Sequence, residues 1–215
     1  MTRICVRSEK VTEMNTLPTL ATDRLLLRPF TLADAQEVQR LAGDRDVAST
    51  TLRIPYPYKD GMAEEWIGSH TDKCAKGEGV SLAVTLRDAG TLVGAVGLEI
   101  CKDHLRAELG YWIGKPYWGK GFATEAARAL VGYGFEVLGL NRIHAQHLVR
   151  NPASGRVMIK IGMRHEGTLR HHTKKWDVFE DVEFYGLLKC DELPNHIGVS
   201  VLHNTVLGQS AKGAV

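Results

Sequence analysis

Between residues 80 and 139 the hydrophobic period changes from that of strands to that of a helix, and this change constrains the fold more than any other feature. SLAVTL (81–86), TLVGAVGLEI (91–100) and RAELGYWIG (106–114) are β-type runs separated by DAG and KDH turns, the pattern of an antiparallel meander. WGKGFATEA (118–126) follows, with two glycines around a lysine. Ala123, Ala126, Ala127, Leu130, Val131, Gly134, Val137 and Leu138 then recur at helical spacing up to Gly139. A sheet that hands over to a helix through a glycine turn exposes unpaired backbone N–H groups at the helix start, a ready site for an anion.

The flanking segments complete the order. RLLLRPF (24–30) reads as a strand, and TLADAQEVQRLAG as a helix from the N-cap Thr31 to Gly43. RIPYPYKDG (53–61) is Pro-broken loop, and residues 62–76 form a second helix with Met62, Trp66 and Ile67 on one side. NRIHAQHLV (141–149) is a strand. NPASGRVMIKIG is a helix with Asn151 as N-cap, Pro152 at the first position and Gly162 at its close. Residues 163–170 and 176–189 make a last pair of strands. The order β-α-α-β-β-β-α-β-α-β-β predicts an α/β domain with a mixed, mostly antiparallel sheet flanked by helices. Residues 21–190 form the domain, with tails at 1–20 and 191–215.

Composition narrows the function classes. A net charge of +2, from 27 basic and 25 acidic residues, gives no reason to expect nucleic-acid binding. No apolar run reaches the ~18–20 residues a membrane span needs. The start, MTRICVRSEKVTEMNT, lacks the apolar core of a signal peptide, which gives a cytoplasmic reading. Cys5, Cys74, Cys101 and Cys190 are far apart and form no C-x-x-C, so reduced thiols are expected, with neither a disulfide framework nor a metal site.

Three anion-binding patterns compete for the glycine turn. A P-loop needs G-x-x-x-x-G-K-[ST], which the chain lacks. The dinucleotide fingerprint starts at Gly119 and Gly121 but meets Thr124 at its third position, and repeated βαβ units are missing. The third pattern, [QR]-x-x-G-x-[GA], wraps backbone N–H groups around a pyrophosphate. Trp118, Gly119, Lys120, Gly121, Phe122 and Ala123 fit it, with Trp118 in place of the Gln or Arg. Lys120 adds positive charge and Thr124 a hydroxyl in the first turn.

Together with this turn, AELGYWIG, NRIHAQHLVRNPASGRV and the closing DVEFYGLLK make the chain resemble the GNAT superfamily of acyl-CoA N-acyltransferases. TDRLLLRPFTLADA, NPASGRV and GMRHEGTLR make it most similar to the Rim-type group, which contains the ribosomal-protein N-terminal alanine acetyltransferases. The likeness covers roughly residues 20–190. It implies that residues 118–124 hold the pyrophosphate of acetyl-CoA. It also implies that the strand at 107–113 splays from 141–149 to pair with the pantetheine arm. A main-chain N–H near Tyr111, Trp112 and Ile113 would then polarise the thioester carbonyl, with Asn151 touching the pantetheine arm and Ser154 near the sulfur.

Amine acetylation needs a neutral amine, an oxyanion donor and a proton for the departing thiolate. An α-amine with a pKa of ~7.7–8.0 is already about a tenth neutral at pH 7, whereas a lysine near ~10.4 needs a dedicated base. Glu108, on one strand face with Gly110 and Trp112, is the first candidate base. Glu99 is the second, and a water the third. Ser154 is the candidate acid. Tyr111 is expected to contribute its backbone and packing rather than its phenol, and Asp181 and Tyr185 to be structural or substrate-side. No cysteine lies near the motif residues, which favours direct attack in a ternary complex over a covalent relay. The expected acceptor is a protein or peptide N-terminal α-amine. A small amine (polyamine, amino acid or aminoglycoside) and a catalytically silent acyl-CoA-binding protein are the alternatives. Loop 53–61 and the first two helices are expected to set acceptor specificity, and exposed strand edges are compatible with a homodimer.

Overall fold

A computed structural model describes residues 16–191 and the backbone of residues 200–202. The strands are β1 (Thr19–Ala21), β2 (Leu25–Arg28), β3 (Gly79–Leu86), β4 (Leu92–Cys101), β5 (Arg106–Ile113), β6 (Arg142–Leu148), β7 (Arg164–Lys175), β8 (Val178–Leu188) and β9 (Ser200–Leu202). The helices are α1 (Ala35–Ala42), α2 (Arg45–Thr50), α3 (Met62–Ala75), α4 (Phe122–Glu136) and α5 (Pro152–Lys160). One nine-stranded sheet runs in the order β7-β8-β6-β5-β4-β3-β2-β1-β9. Every neighbouring pair is antiparallel except β5 and β6, which are parallel. The mixed, mostly antiparallel sheet predicted from the periodicity is the one observed.

Alternation along the strands sends apolar side chains to both faces. On one face Leu25, Leu27, Leu82, Leu98 and Leu109 meet Leu130 and Val131 of α4 and Met158 of α5. On the other, Ala83 and Leu92 meet Val38 of α1 and Ala63 and Ile67 of α3. At the start of α1 the Asp34 carboxylate accepts from the Thr31 backbone and pairs with Arg28 at 2.8 Å. Burial alone would raise the pKa of this carboxyl, but the bonds from Arg28 and Thr31 outweigh it and hold it below the ordinary range.

Several elements differ from the sequence expectation. β1 and β9 pair with each other and fall wholly or mostly in stretches expected as tails. Helix α2, six residues capped by Asp44, occupies a stretch with no assigned structure. α4 ends at Glu136 rather than Leu138. β7 continues to Lys175 past a register shift between Leu169 and Thr173.

The cysteine expectation needs correction. Cys74 and Cys101 are free thiols, but Cys190 is disulfide-bonded. Distance along the sequence does not limit distance in space, so wide spacing was no argument against a bridge. Among the described residues, no helix is long and apolar enough to cross a membrane.

Candidate active site

The site begins where the sheet divides. β5 pairs with β4 along its full length, from Arg106↔Cys101 to Ile113↔Gly94. With β6 it pairs only over Arg106↔Arg142, Ala107↔Ile143 and Glu108↔His144. Beyond Glu108 the two strands diverge, β6 following β8 as far as Leu148↔Val182. The Leu105 carbonyl faces β6, accepting from Asn141 at 2.7 Å, whereas the Gly114 N–H faces β4, donating to Val93 at 2.8 Å. By strand alternation the backbone groups of Leu109, Tyr111 and Ile113 therefore point into the fork. The fork opens into a cleft of ≈ 980 Å³ that continues to the loop after α2.

The glycine turn closes one end of the fork. Gly119 and Gly121 both take left-handed backbone conformations, φ 76° and 81°, which a side chain would strain. Gly121 is the N-cap of α4, and no side chain caps the helix. The N–H groups of its first turn are left without the partners a helix interior supplies. Phe122, Ala123 and Thr124 line the cleft there, with Trp118, Gly119 and Gly121. Trp118, which replaces the pattern's polar residue, donates its indole N–H to the Ile113 carbonyl at 2.6 Å and so ties the turn to the end of β5. Lys120 extends over the Tyr117 ring, its Nζ 5.5 Å from the ring centroid. Arg24 braces the turn from outside: it pairs with Glu125 at 2.6 Å and donates to the Lys120 carbonyl at 3.0 Å.

The other arm of the fork carries α5. Asn151 caps this helix, accepting from the Ser154 N–H at 3.4 Å and donating to the Thr50 carbonyl at 3.1 Å. Ser154 faces β5 across the fork, where its Oγ lies 2.9 Å from the Tyr111 hydroxyl. That hydroxyl also donates to the Ser154 carbonyl, at 3.1 Å. Burial raises the pKa of the Tyr111 phenol, and the Ser154 bond opposes this only in part, so the phenol stays protonated at neutral pH. The expectation that Tyr111 serves only through its backbone and packing misses this contact. Arg156 and Lys160 add positive charge to the cleft wall from the same helix.

The two candidate carboxylates are neighbours. Glu99 and Glu108 are cross-strand partners on β4 and β5. Gln146 donates to Glu108 at 3.1 Å, and the His144 ring lies 4.0 Å away. Arg53, in the loop after α2, pairs with Glu99 and reaches Glu108 at 3.4 Å. Sequence reasoning pointed to loop 53–61, which begins at Arg53, but singled out neither Arg53 nor Gln146, since neither residue type at those positions carries a motif. It also missed His147, a buried ring against which α5 packs. A Cβ on Gly155 would lie 2.6 Å from its Nε2. Of the two residues expected to be structural or substrate-side, Asp181 accepts from the His171 N–H at 2.7 Å, and Tyr185 stacks on His147.

A family model described as an acetyltransferase (GNAT) domain matches residues 24–164. The chain belongs to the GNAT acetyltransferase family. It is an N-acetyltransferase with acetyl-CoA as cosubstrate, and its relatives include members of the Rim-type group. This GNAT chain is 33% identical over 185 residues to the uncharacterized N-acetyltransferase YoaA of Bacillus subtilis (strain 168), covering 81% of this chain and 99% of YoaA. It is 39% identical over 101 residues to YdaF of the same organism, whose name proposes a ribosomal N-acetyltransferase. That match covers 46% of this chain and 55% of YdaF. It is 31% identical over 146 residues to the spermidine N(1)-acetyltransferase of Escherichia coli (strain K12), covering 67% and 75%. A GNAT acetyltransferase from Bacillus anthracis has a similar structure, with a TM-score of 0.71 at 29% identity over 80% of this chain and 98% of the other.

Proposed function

We propose that this enzyme acetylates the α-amine of a protein or peptide N-terminus by direct attack within a ternary complex. The observation that carries the reading is the fork, with a hydroxyl pair on one side and one lightly engaged carboxylate on the other. The residues present suit acetyl-CoA. The uncapped start of α4 and the open backbone at Gly119 and Gly121 suit its pyrophosphate. The unpaired edge of β5 suits the amides of its pantetheine arm, and Arg156 and Lys160 suit its remaining negative charge. When bound, acetyl-CoA supplies an acyl group activated as a thioester.

The chain's own groups then divide the work. Backbone N–H groups of Leu109, Tyr111 and Ile113 face the fork and can orient and polarise a carbonyl. Glu108 takes the proton that the amine loses as its nitrogen bonds to the acyl carbon. The Tyr111–Ser154 hydroxyl pair gives a proton to the sulfur as the carbon–sulfur bond breaks. Asn151 holds the first turn of α5, and with it Ser154, in place. An α-amine asks least of such a site, because a pKa of ~7.7–8.0 leaves about a tenth of it neutral at pH 7.

A small-amine acceptor is the second reading, favoured by the similarity to the Escherichia coli spermidine enzyme. The decisive experiment offers acetyl-CoA with a peptide bearing a free N-terminus, the same peptide blocked at its N-terminus but containing lysine, and spermidine. Mass spectrometry then locates the acetyl group. Acetylation at the free α-amine alone is expected. Modification confined to lysine or to spermidine overturns the reading.

A further inference from the structure

Within the reading above, we propose that Arg53 sets acceptor selectivity: by neutralising Glu99 it leaves Glu108 as the one uncompensated carboxylate of the β4–β5 wall, so this wall takes a single ammonium and disfavours polycations. Three observations converge on this. Glu99 and Glu108 stand side by side at paired positions of β4 and β5, on the cleft wall beyond Gly110. A Cβ on Gly110 would meet nothing within 4 Å, so open space lies directly beside Glu108. The Arg53 guanidinium spans the two carboxylates unequally, hard against Glu99 but at 3.4 Å from Glu108.

That asymmetry decides which limb an acceptor displaces. Arg53 and Glu99 are both more than half exposed, at 59% and 58% of the side chain, whereas Glu108 is 24% exposed. An ammonium entering the cleft meets the long Arg53–Glu108 contact first and replaces it. The Arg53–Glu99 pair stays intact and contributes no net charge. Glu108, oriented by Gln146 at 3.1 Å, then faces one positive charge with one negative charge. A molecule with two or three ammonium groups finds no second free carboxylate at this wall, and the nearby guanidinium repels it. Without Arg53 the same wall becomes a dicarboxylate, the arrangement a polycation prefers. Arg53 lies in the segment between α2 and α3, so the selectivity element sits on a loop carried by a rigid sheet.

The test compares kcat/KM of the wild type, Arg53→Gln, Arg53→Lys and the double variant Arg53→Gln/Glu99→Gln on three acceptors: a free N-terminal peptide, phenethylamine as a simple monoamine, and spermidine. Arg53→Gln should raise the spermidine-to-monoamine ratio of kcat/KM about tenfold, chiefly through a lower KM for spermidine. Arg53→Lys, which keeps the charge, should stay near the wild-type ratio, and the double variant should return toward it. An unchanged ratio in Arg53→Gln overturns the proposal, as does an equal rise in Arg53→Lys. Phenethylamine keeps the two questions apart. If the peptide proves inert while phenethylamine is acetylated, the N-terminal reading fails and the Arg53 ratio can still be read.

Discussion

Tyr111 and Ser154 sit on opposite arms of the fork, and their 2.9 Å contact bridges a gap that no strand pairing closes there. Both hydroxyls stay protonated at neutral pH, so either can serve the leaving sulfur. Losing one should therefore cost less than losing both. Ser154→Ala and Tyr111→Phe should each lower kcat by roughly tenfold, and the double variant by about 100-fold, the lower end of what a positioned proton donor contributes. Calorimetric titration of acetyl-CoA should show similar binding in all three, and a fall in binding matching the fall in kcat would make the pair a binding element instead. Glu108→Gln should lower kcat/KM for the peptide by about 100-fold. An unaltered rate would assign deprotonation to a water. At this scale the place of Glu108 on the cleft wall was legible from strand alternation, and that of Ser154 beside β5 from family likeness. Arg53 was not, because a lone arginine in a proline-rich loop carries no period, and its meaning comes only from where the chain folds it.

The glycine turn and α5 are the elements on which the site hangs. Gly121→Glu forces a side chain into a left-handed backbone and places a negative charge at the start of α4. It should abolish acetyl-CoA binding in the calorimeter. Gly155 is constrained from beneath, since a Cβ there would lie 2.6 Å from His147 Nε2 and 3.3 Å from the Tyr185 hydroxyl. His147 has little room to yield, being 4% exposed, with its Nδ1 2.8 Å from the Leu148 carbonyl. Gly155→Val should cost about 1–3 kcal/mol in urea denaturation and lower kcat by moving Ser154. Loss of stability without loss of kcat would show that α5 shifts as a body. Helices with regular apolar spacing, such as α1, α4 and α5, were readable in the sequence. β1 and α2 were not, because three residues hold no period and RDVAST has little apolar content. The far half of β7 was hidden by the register shift after Leu169, which breaks the alternation on which strand reading depends.

For the molecule as a whole, a buried histidine on α3 ties stability to pH. His70, on α3, is 4% exposed, packs edge-on to Trp66 at 4.5 Å, and has no hydrogen-bond partner among the described residues at either ring nitrogen. Burial, helped by the charge of Lys73, lowers its pKa from 6.5 to about 4. The unfolded chain therefore takes up this proton before the folded one. The stability is fully present above pH 6.5 and is lost as the pH falls toward about 4, by up to ~3 kcal/mol. Urea midpoints at pH 7 and pH 4.5 should differ by less in His70→Phe than in the wild type, and equal slopes would place the acid sensitivity elsewhere.

Among the described residues, the three register pairs at Arg106–Glu108 are the only strand pairing that joins β7, β8 and β6 to the other six strands. In mechanical terms the sheet is a pair of blades riveted at one end. One blade carries Glu99, Glu108 and Tyr111, and the other carries Gln146 and, through α5, Ser154. A pivot of a few degrees at the rivet would widen or narrow the jaws at Ile113, and it would shear the one apolar core that Ile143 and Leu187 share with Leu98 and Leu109. Shared packing therefore works as a stop on the jaws.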